Sequence, residues 1–202
     1  MIAVDFLRHG RTTADGILLG RTTDAPLSAA GRQAVTHQVA GRTWSAILAS
    51  PLGRARETAD IAAAEAGVAV TLAPAWQEID FGLWDGQGWD ALARDPRFAA
   101  FQADPETSPP PGGETIADVA ARLTPALESL ADRTDGPVLV VAHGGAIRMA
   151  LSVLLAIPLA RLWALRIGCA TRISVSMGRS DTHGLWGEIV EIVQPPQMEE
   201  SP

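Results

Sequence analysis

The sequence predicts an α/β fold, a three-layer α/β/α sandwich with a mostly parallel central sheet. Short runs with strand-like patterns alternate along the chain with longer segments in which apolar residues recur at helical spacing. Residues 138–142 are apolar on both faces, which is typical of a central parallel strand. The chain has 202 residues, 47% of them hydrophobic and 19% charged, so it is long enough to bury one substantial core.

The elements of the first 73 residues are predicted from alternation and from helix-start signals. Residues 2–7 alternate as a first strand that ends at Arg8-His9-Gly10, and a loop rich in Gly and Thr follows it. The next predicted elements are a helix from its N-cap Ser28 to Gly41, a strand over 45–49, a helix opened by Ser50 and Pro51 and ending near Ala66, and a strand over 68–72.

The region 74–113 is rich in loops and prolines, and we expect a cap or lid there with short helices near 89–103. Thr115 and Asp118 have the spacing of a capping box, and the helix that follows contains Pro125, which should kink it. The remaining predicted elements are the strand 138–142, a helix over 146–156, a hairpin of 173–177 with 185–193, and a tail over 194–202. The predicted organisation is one domain over residues 1–193 with an embedded cap.

Composition excludes several classes of enzyme. All 16 basic residues are arginine, so the chain has no Walker phosphate loop, Schiff-base lysine or pyridoxal site. The single Cys169 cannot form an internal disulfide or a cysteine zinc cluster. We expect neither a metal nor another cofactor. A net charge of −7 argues against a nucleic-acid or anionic-membrane surface, although residues 1–60 alone carry seven Arg against five acids.

The longest apolar run, residues 149–160, is too short to span a membrane and contains Pro158. We therefore expect it to be a buried helix. The chain enters its first strand at once, without a basic region and an apolar signal core, which predicts a cytoplasmic location.

Four short patterns combine residues that can act on a phosphoryl group. Arg8-His9-Gly10 and His143-Gly144-Gly145 each follow a predicted strand, where the ligand crevice of an α/β sheet forms. Arg54 lies on the first turns of a predicted helix, which favours anions. Glu78 precedes a turn with aromatic neighbours that could desolvate it. Each pattern alone also fits an ordinary structural role, such as a polar strand end or a solvated arginine.

The four patterns together, in this order, resemble the histidine phosphatase superfamily, which has the fold of cofactor-dependent phosphoglycerate mutases. The resemblance covers nearly the whole chain. Its matching segments are 6–10, 24–34, 50–59, 78–86, 111–115 and 143–148.

The resemblance implies a role for each pattern. His9 would attack phosphorus and form a phosphohistidine, without a metal to activate it. Arg8 and Arg54 would hold the phosphoryl oxygens, with His143 as a further donor. Glu78 would protonate the leaving oxygen and then activate water, with Asp80 and Glu114 as alternative acids. The substrate-binding residues would be Arg8, Gly10, Arg11, Thr12, Gly20, Arg21, Arg54, His143 and Gly144.

Two positions depart from the family pattern. Arg11 stands where the family usually has Glu, and Asp15 stands where it usually has a phosphate-binding Asn. Because a carboxylate repels a dianion, we expect either that Asp15 turns away or that the alignment is shifted there. Arg11 or Arg21 would then supply the lost donor. His37 and His183 match nothing in the pattern, and we interpret them as surface residues.

The segment over 86–113 is compact, which favours a phosphatase over the longer mutases. The short loop over 13–21 and the proline-rich segment 104–112 are similar to those of α-ribazole phosphatases of cobalamin synthesis. The alternatives are a phosphatase of broad specificity, a phosphoglycerate mutase and a catalytically inactive phosphate-binding module. The expected partner is a small phosphorylated metabolite, and a homodimer is left open.

Overall fold

A six-stranded sheet organises the computed structural model, which describes residues 1–180, 182 and 184–196. The sheet order is β3-β2-β4-β1-β5-β6. The first four strands in that order are mutually parallel, and β5 and β6 form an antiparallel hairpin beside β1. The strands are β1 (Ile2–Arg8), β2 (Ala46–Ala49), β3 (Val70–Leu72), β4 (Val138–Ala142), β5 (Arg172–Ser180) and β6 (Gly184–Val193). The predicted mostly parallel sheet and its closing hairpin are confirmed.

Helices cover both faces of the sheet, which confirms the three-layer sandwich. They are α1 (Ala29–Val39), α2 (Gly53–Ala66), α3 (Trp89–Leu92), α4 (Pro96–Ala103), α5 (Ile116–Ala131) and α6 (Gly144–Leu155). Side chains of α1 and α2 pack with Leu139 and Val141 of β4 in one core. Side chains of α5, α6 and the cap pack with Val138 and Val140 in the other. Alternate residues of β4 therefore serve opposite cores, and all five are buried.

The pairing of β1 with β4 positions the site. Arg8 at the end of β1 is in register with Ala142 at the end of β4. The two strands are parallel, so His9 and His143 leave the same edge of the sheet next to each other.

The capping box of α5 forms as predicted: the Thr115 hydroxyl accepts from the Asp118 N–H, and the Asp118 carboxylate accepts from the Thr115 N–H. The helix runs on through Pro125 to Ala131.

Gly41 ends α1 as predicted: it follows the C-cap Ala40 in a left-handed conformation with φ 66°. Two other predicted boundaries are wrong. Helix α2 begins at Gly53 rather than at Ser50, because the Ser50 hydroxyl contacts His143 and the Leu52 N–H instead of capping a helix. Helix α6 ends at Leu155, so it covers only part of the apolar run 149–160.

The end of α6 has a local cause. Ala156 adopts a left-handed conformation, and Pro158 then begins a 3-10 turn over Leu159–Ala164. Among the described residues, no helix combines the length and the apolar character that crossing a bilayer requires.

Candidate active site

His9 is oriented as a nucleophile by its backbone neighbour. Its Nδ1 lies 2.9 Å from the carbonyl oxygen of Gly10, which can only accept, so Nδ1 carries the proton and Nε2 keeps its lone pair. Burial, and then the charges of Arg8 and Arg54, hold the pKa of His9 well below its usual value, despite the opposing hydrogen bond to Gly10. The imidazole is therefore neutral at neutral pH and available to attack.

His143 faces His9, with the ring centroids 5.1 Å apart. Its Nε2 lies 2.8 Å from the hydroxyl oxygen of Ser50. When that hydroxyl donates to Nε2, the ring proton is on Nδ1, a buried atom with no partner among the described residues. Burial, followed by the nearby positive charges, also lowers the pKa of His143 well below its usual value. In that tautomer the neutral imidazole carries an N–H donor that no described residue accepts.

Arg8 contributes a second unsatisfied donor. Its Nη1 donates to the carbonyl oxygen of Ile167 at 2.7 Å, while its buried Nε has no partner among the described residues. A buried N–H that lacks an acceptor is costly, and such groups on Arg8 and His143, close to His9, are explained if a ligand supplies the acceptors. A phosphoryl group carries such oxygens.

Arg54 is fully buried and donates its Nε to His9 Nε2 at 3.3 Å. Its Nη1 donates to Asp24 at 2.8 Å, and its Nη2 donates to the carbonyl oxygen of Gly20 at 2.7 Å. The guanidinium is held rigidly against the nucleophile by these contacts. When a phosphoryl group binds, one of its oxygens can accept the hydrogen bond that Arg54 Nε otherwise donates to His9.

Glu78 is 6% exposed, and its side chain contacts the first turn of α6. Its Oε1 accepts from the backbone N–H groups of Ile79 at 2.9 Å and Ala146 at 3.0 Å, and its Oε2 accepts from Gly145 at 3.1 Å. Oε2 therefore keeps a lone pair that can hold a proton. The carboxyl is fixed by the helix start and can exchange a proton in the cavity that it lines.

A cavity of about 380 Å³ leads from these residues towards the cap. Its inner end is lined by Arg8, His9, Glu78, Gly144 and Gly145. Beyond that end its lining includes the loop 14–19 and five aromatic side chains, Phe81, Trp89, Phe98, Phe101 and Trp163. This volume lies within the range of about 300–1,000 Å³ that is usual for small-molecule sites.

Comparison with known proteins identifies the family. Residues 4–185 match the model of the histidine phosphatase superfamily (branch 1). The chain belongs to the histidine phosphatase superfamily.

Several members of the superfamily are similar to this chain over most of their length. A Yersinia enterocolitica protein named Probable phosphoglycerate mutase GpmB is 32% identical over 166 residues, which cover 78% of this chain and 77% of that protein. The solved mycobacterial glucosyl-3-phosphoglycerate phosphatase is 31% identical, with a TM-score of 0.80 and coverage of 94% and 97%. The Shigella flexneri α-ribazole phosphatase shares the fold at 21% identity, with a TM-score of 0.78 and coverage of 93% and 94%.

The structure brings most of the predicted site residues together around His9 and the cavity. Thr12 and Arg11 line it with Arg8, His9, Glu78 and Gly144, whereas Arg54 and His143 lie against His9 without lining the cavity. Gly10 lies behind His9, and its N–H donates to the Thr58 hydroxyl at 3.0 Å. Asp15 pairs with Arg11 at 2.6 Å and its side chain is 75% exposed, but the residue still lines the cavity.

Arg21 and Gly20 lie apart from the cavity lining. The Arg21 Nε donates to the carbonyl oxygen of Glu78, and its Nη2 contacts the Glu114 carboxylate. Gly20 donates its N–H to Asp85 and accepts from Arg54. The prediction that both bind substrate is therefore wrong. Their hydrogen bonds instead hold Arg54, Glu78 and Glu114 in place.

The alternative acids, Asp80 and Glu114, are both engaged in hydrogen bonds with protein groups away from the cavity. Burial alone would raise the pKa of Glu114, but hydrogen bonds from Arg122 and the Asp80 N–H, with the charges of Arg122 and Arg21, keep it below its ordinary value. The Asp80 carboxylate accepts from the Gly82 N–H at 2.9 Å. Neither side chain lines the cavity. His37 is exposed, as predicted, and His183 lies outside the described residues.

Sequence reasoning missed the residues that hold the site residues in place. Ser50 contacts His143, Thr58 contacts Gly10, and Asp24 pairs with Arg54. Asp85 accepts from the backbone of Gly20 and from both the N–H and the hydroxyl of Thr22. All four lie in or beside the matching segments, but the spacing of residues along the chain does not indicate which side chain contacts which.

Proposed function

We propose that this histidine phosphatase hydrolyses a small phosphomonoester through a phosphohistidine at His9, without a metal. The observation that carries the proposal is the pair of buried nitrogens, Arg8 Nε and His143 Nδ1, that have no partner among the described residues and lie close to a neutral His9. Together with Arg54 they supply the charge and hydrogen bonds that phosphoryl transfer requires.

The first step is in-line attack of His9 Nε2 on phosphorus. The N–P bond forms as the bond to the leaving oxygen breaks, and Glu78 gives that oxygen its proton. In the second step the Glu78 carboxylate takes a proton from water, whose oxygen attacks phosphorus. The N–P bond breaks, phosphate leaves, and Glu78 is again protonated. The neutral His9 is restored with its lone pair.

The physiological substrate that we propose is α-ribazole 5′-phosphate, in cobalamin synthesis. The support is the short loop over 13–21 and the proline-rich segment 104–112. A second candidate is a glucosyl-3-phosphoglycerate phosphatase, favoured by the 31% identity to the solved mycobacterial enzyme. A phosphoglycerate mutase remains the third, given the names of the curated relatives.

Acid quenching with a ³²P-labelled monoester tests the mechanism. We expect label on His9 in the wild type and none in His9→Ala, and full turnover after dialysis against EDTA. Label on another residue, or turnover that needs added Mg²⁺ or Zn²⁺, would contradict the proposal. An inactive phosphate-binding module would bind inorganic phosphate but would release no phosphate from the monoester. A panel of α-ribazole 5′-phosphate, glucosyl-3-phosphoglycerate and 3-phosphoglycerate, ranked by kcat/KM, distinguishes the three substrates.

A further inference from the structure

The outer part of the cavity is bounded by a continuous row of aromatic rings that the mechanism does not use. The ring centroids are 6.4 Å apart for Trp89 and Phe98, 6.4 Å for Phe98 and Phe101, and 6.1 Å for Phe101 and Trp163. Phe81 stands edge-on to Phe101 at 6.2 Å. All five side chains line the cavity that begins at His9. A phosphomonoester bound at His9 would place its leaving group in this part of the cavity.

The row ends at a polar atom without a partner. Trp163 Nε1 is buried and lacks an acceptor among the residues that the structure describes. Trp N–H groups usually find an acceptor when they are buried. Gln102 adds an amide side chain to the cavity lining. The lining thus combines a row of aromatic rings with a buried indole N–H that lacks an acceptor among the described residues.

The arginines of the outer cavity are already engaged by protein groups. Arg148 donates to the carbonyl oxygens of Gly144, Leu162 and Leu165, and its guanidinium lies 5.1 Å from the Trp163 ring centroid. Arg11 pairs with Asp15. A leaving group with a carboxylate would have to compete with these contacts and would meet Asp15. A planar apolar leaving group would neither compete with these arginine contacts nor be repelled by Asp15.

We propose that this aromatic row, Trp89, Phe98, Phe101 and Trp163, forms a leaving-group subsite for a planar aromatic group that carries a hydrogen-bond acceptor. The ring would stack on the row, and the acceptor would take the hydrogen of Trp163 Nε1. The inference rests on the proposed function, since the leaving group is defined by phosphoryl transfer to His9.

Three alkyl monoesters with leaving alcohols of similar basicity test the subsite: ethyl, 2-naphthylmethyl and quinolinylmethyl phosphate. Because the chemistry at phosphorus is nearly the same, differences in kcat/KM report binding of the leaving group. We expect naphthylmethyl phosphate to exceed ethyl phosphate by at least tenfold. The quinoline nitrogen should add about threefold or more, as a hydrogen bond to Nε1 would.

Two variants assign the effects. Trp89 is 48% exposed, so Trp89→Ala should fold, and it should lower the naphthylmethyl-to-ethyl ratio about fivefold to tenfold. Leu83→Ala, at a cap residue that is 66% exposed and outside the cavity lining, is the matched control and should leave the ratio unchanged. Trp163→Phe keeps a ring but removes the N–H, so it should abolish the preference for quinoline over naphthalene.

Calorimetry with the corresponding ethyl- and naphthylmethylphosphonates, which cannot be hydrolysed, separates this inference from the proposed function. Tighter binding of the aromatic phosphonate without any turnover of the esters would support the subsite and overturn the phosphatase. Turnover with no aromatic preference in either kcat/KM or binding would overturn the subsite alone. A preference that Trp89→Ala and Trp163→Phe leave intact would also overturn it.

Discussion

The carboxylate of Glu78 and the backbone of Gly145 fit together without room for a side chain between them. A Cβ at residue 145 would lie 2.5 Å from Glu78 Oε1 and 2.8 Å from the Ile79 Cδ1 atom. The same glycine donates its N–H to Glu78 Oε2. The lack of a side chain at this first turn of α6 is therefore what lets the proposed acid reach the helix start.

Gly145→Ala tests this relationship. Alanine favours a helix by about 1 kcal/mol over glycine, so the variant should fold, but its methyl group must displace Glu78. We expect kcat for an alkyl monoester to fall at least tenfold, measured alongside the thermal midpoint. Gly88→Ala is the control, since its Cβ would lie no closer than 3.7 Å, to the Gly16 carbonyl oxygen, apart from its chain neighbours. Unchanged kcat in Gly145→Ala would argue that Glu78 needs no such fit.

Glu78→Gln tests the proton transfer itself. General acid catalysis typically contributes about 10²–10⁴-fold, and most of it is needed when the leaving oxygen is strongly basic. We expect kcat to fall by that range on an alkyl monoester and much less on p-nitrophenyl phosphate. Arg8→Lys, which removes the unpaired Nε donor, should cost about 10²–10³-fold on both substrates. Equal losses on the two substrates for Glu78→Gln would contradict its role as acid.

Asp85 is predicted to position Arg54 through the loop between them. Burial alone would raise the pKa of Asp85, but hydrogen bonds from Thr22, Gly20 and Thr23 lower it, so the residue is ionised at neutral pH. Those bonds hold the loop whose Gly20 carbonyl accepts from Arg54. Asp85→Asn should raise KM about tenfold and leave the aryl-to-alkyl ratio of kcat unchanged. Asp90→Asn, at an exposed residue of α3, should change neither; a selective loss on alkyl esters would contradict a positioning role.

The two lowered histidine pKa values predict how stability depends on pH. In the unfolded chain His9 and His143 take up protons below about pH 6.5, whereas the folded protein keeps them neutral. The free energy of unfolding should therefore fall as pH decreases from 7.5 to 5.5, by about 1.4 kcal/mol for each histidine. Urea melts at both pH values measure this.

His143→Gln should remove about half of that pH dependence. His37→Gln, at an exposed position of α1, is the matched control and should leave it unchanged. If His143→Gln has the same pH dependence as the wild type, His143 is not held neutral by the fold.

Patterns along the sequence were enough to predict the mostly parallel sheet and the ends of its two central strands. Apolar runs and alternation place β1 and β4 correctly, because burial on one or two faces leaves a periodic trace in the chain. His9 and His143 directly follow those strands, so parallel pairing alone brings them to one edge. Local signals were also sufficient for the Thr115 capping box, which involves residues three apart.

Contacts between polar groups that are far apart in the sequence could not be predicted and required the folded structure. Ser50 reads as a helix cap, yet its hydroxyl contacts His143, 93 residues away. The family resemblance predicts that Arg21 binds phosphate, yet its guanidinium contacts the Glu114 carboxylate. Trp163 is a further example, because its ring lies 6.1 Å from that of Phe101, which is 62 residues away in the sequence. Periodicity records which face of an element is buried, whereas the partner of a side-chain donor depends on the packing of distant elements, and that packing leaves no pattern along the chain.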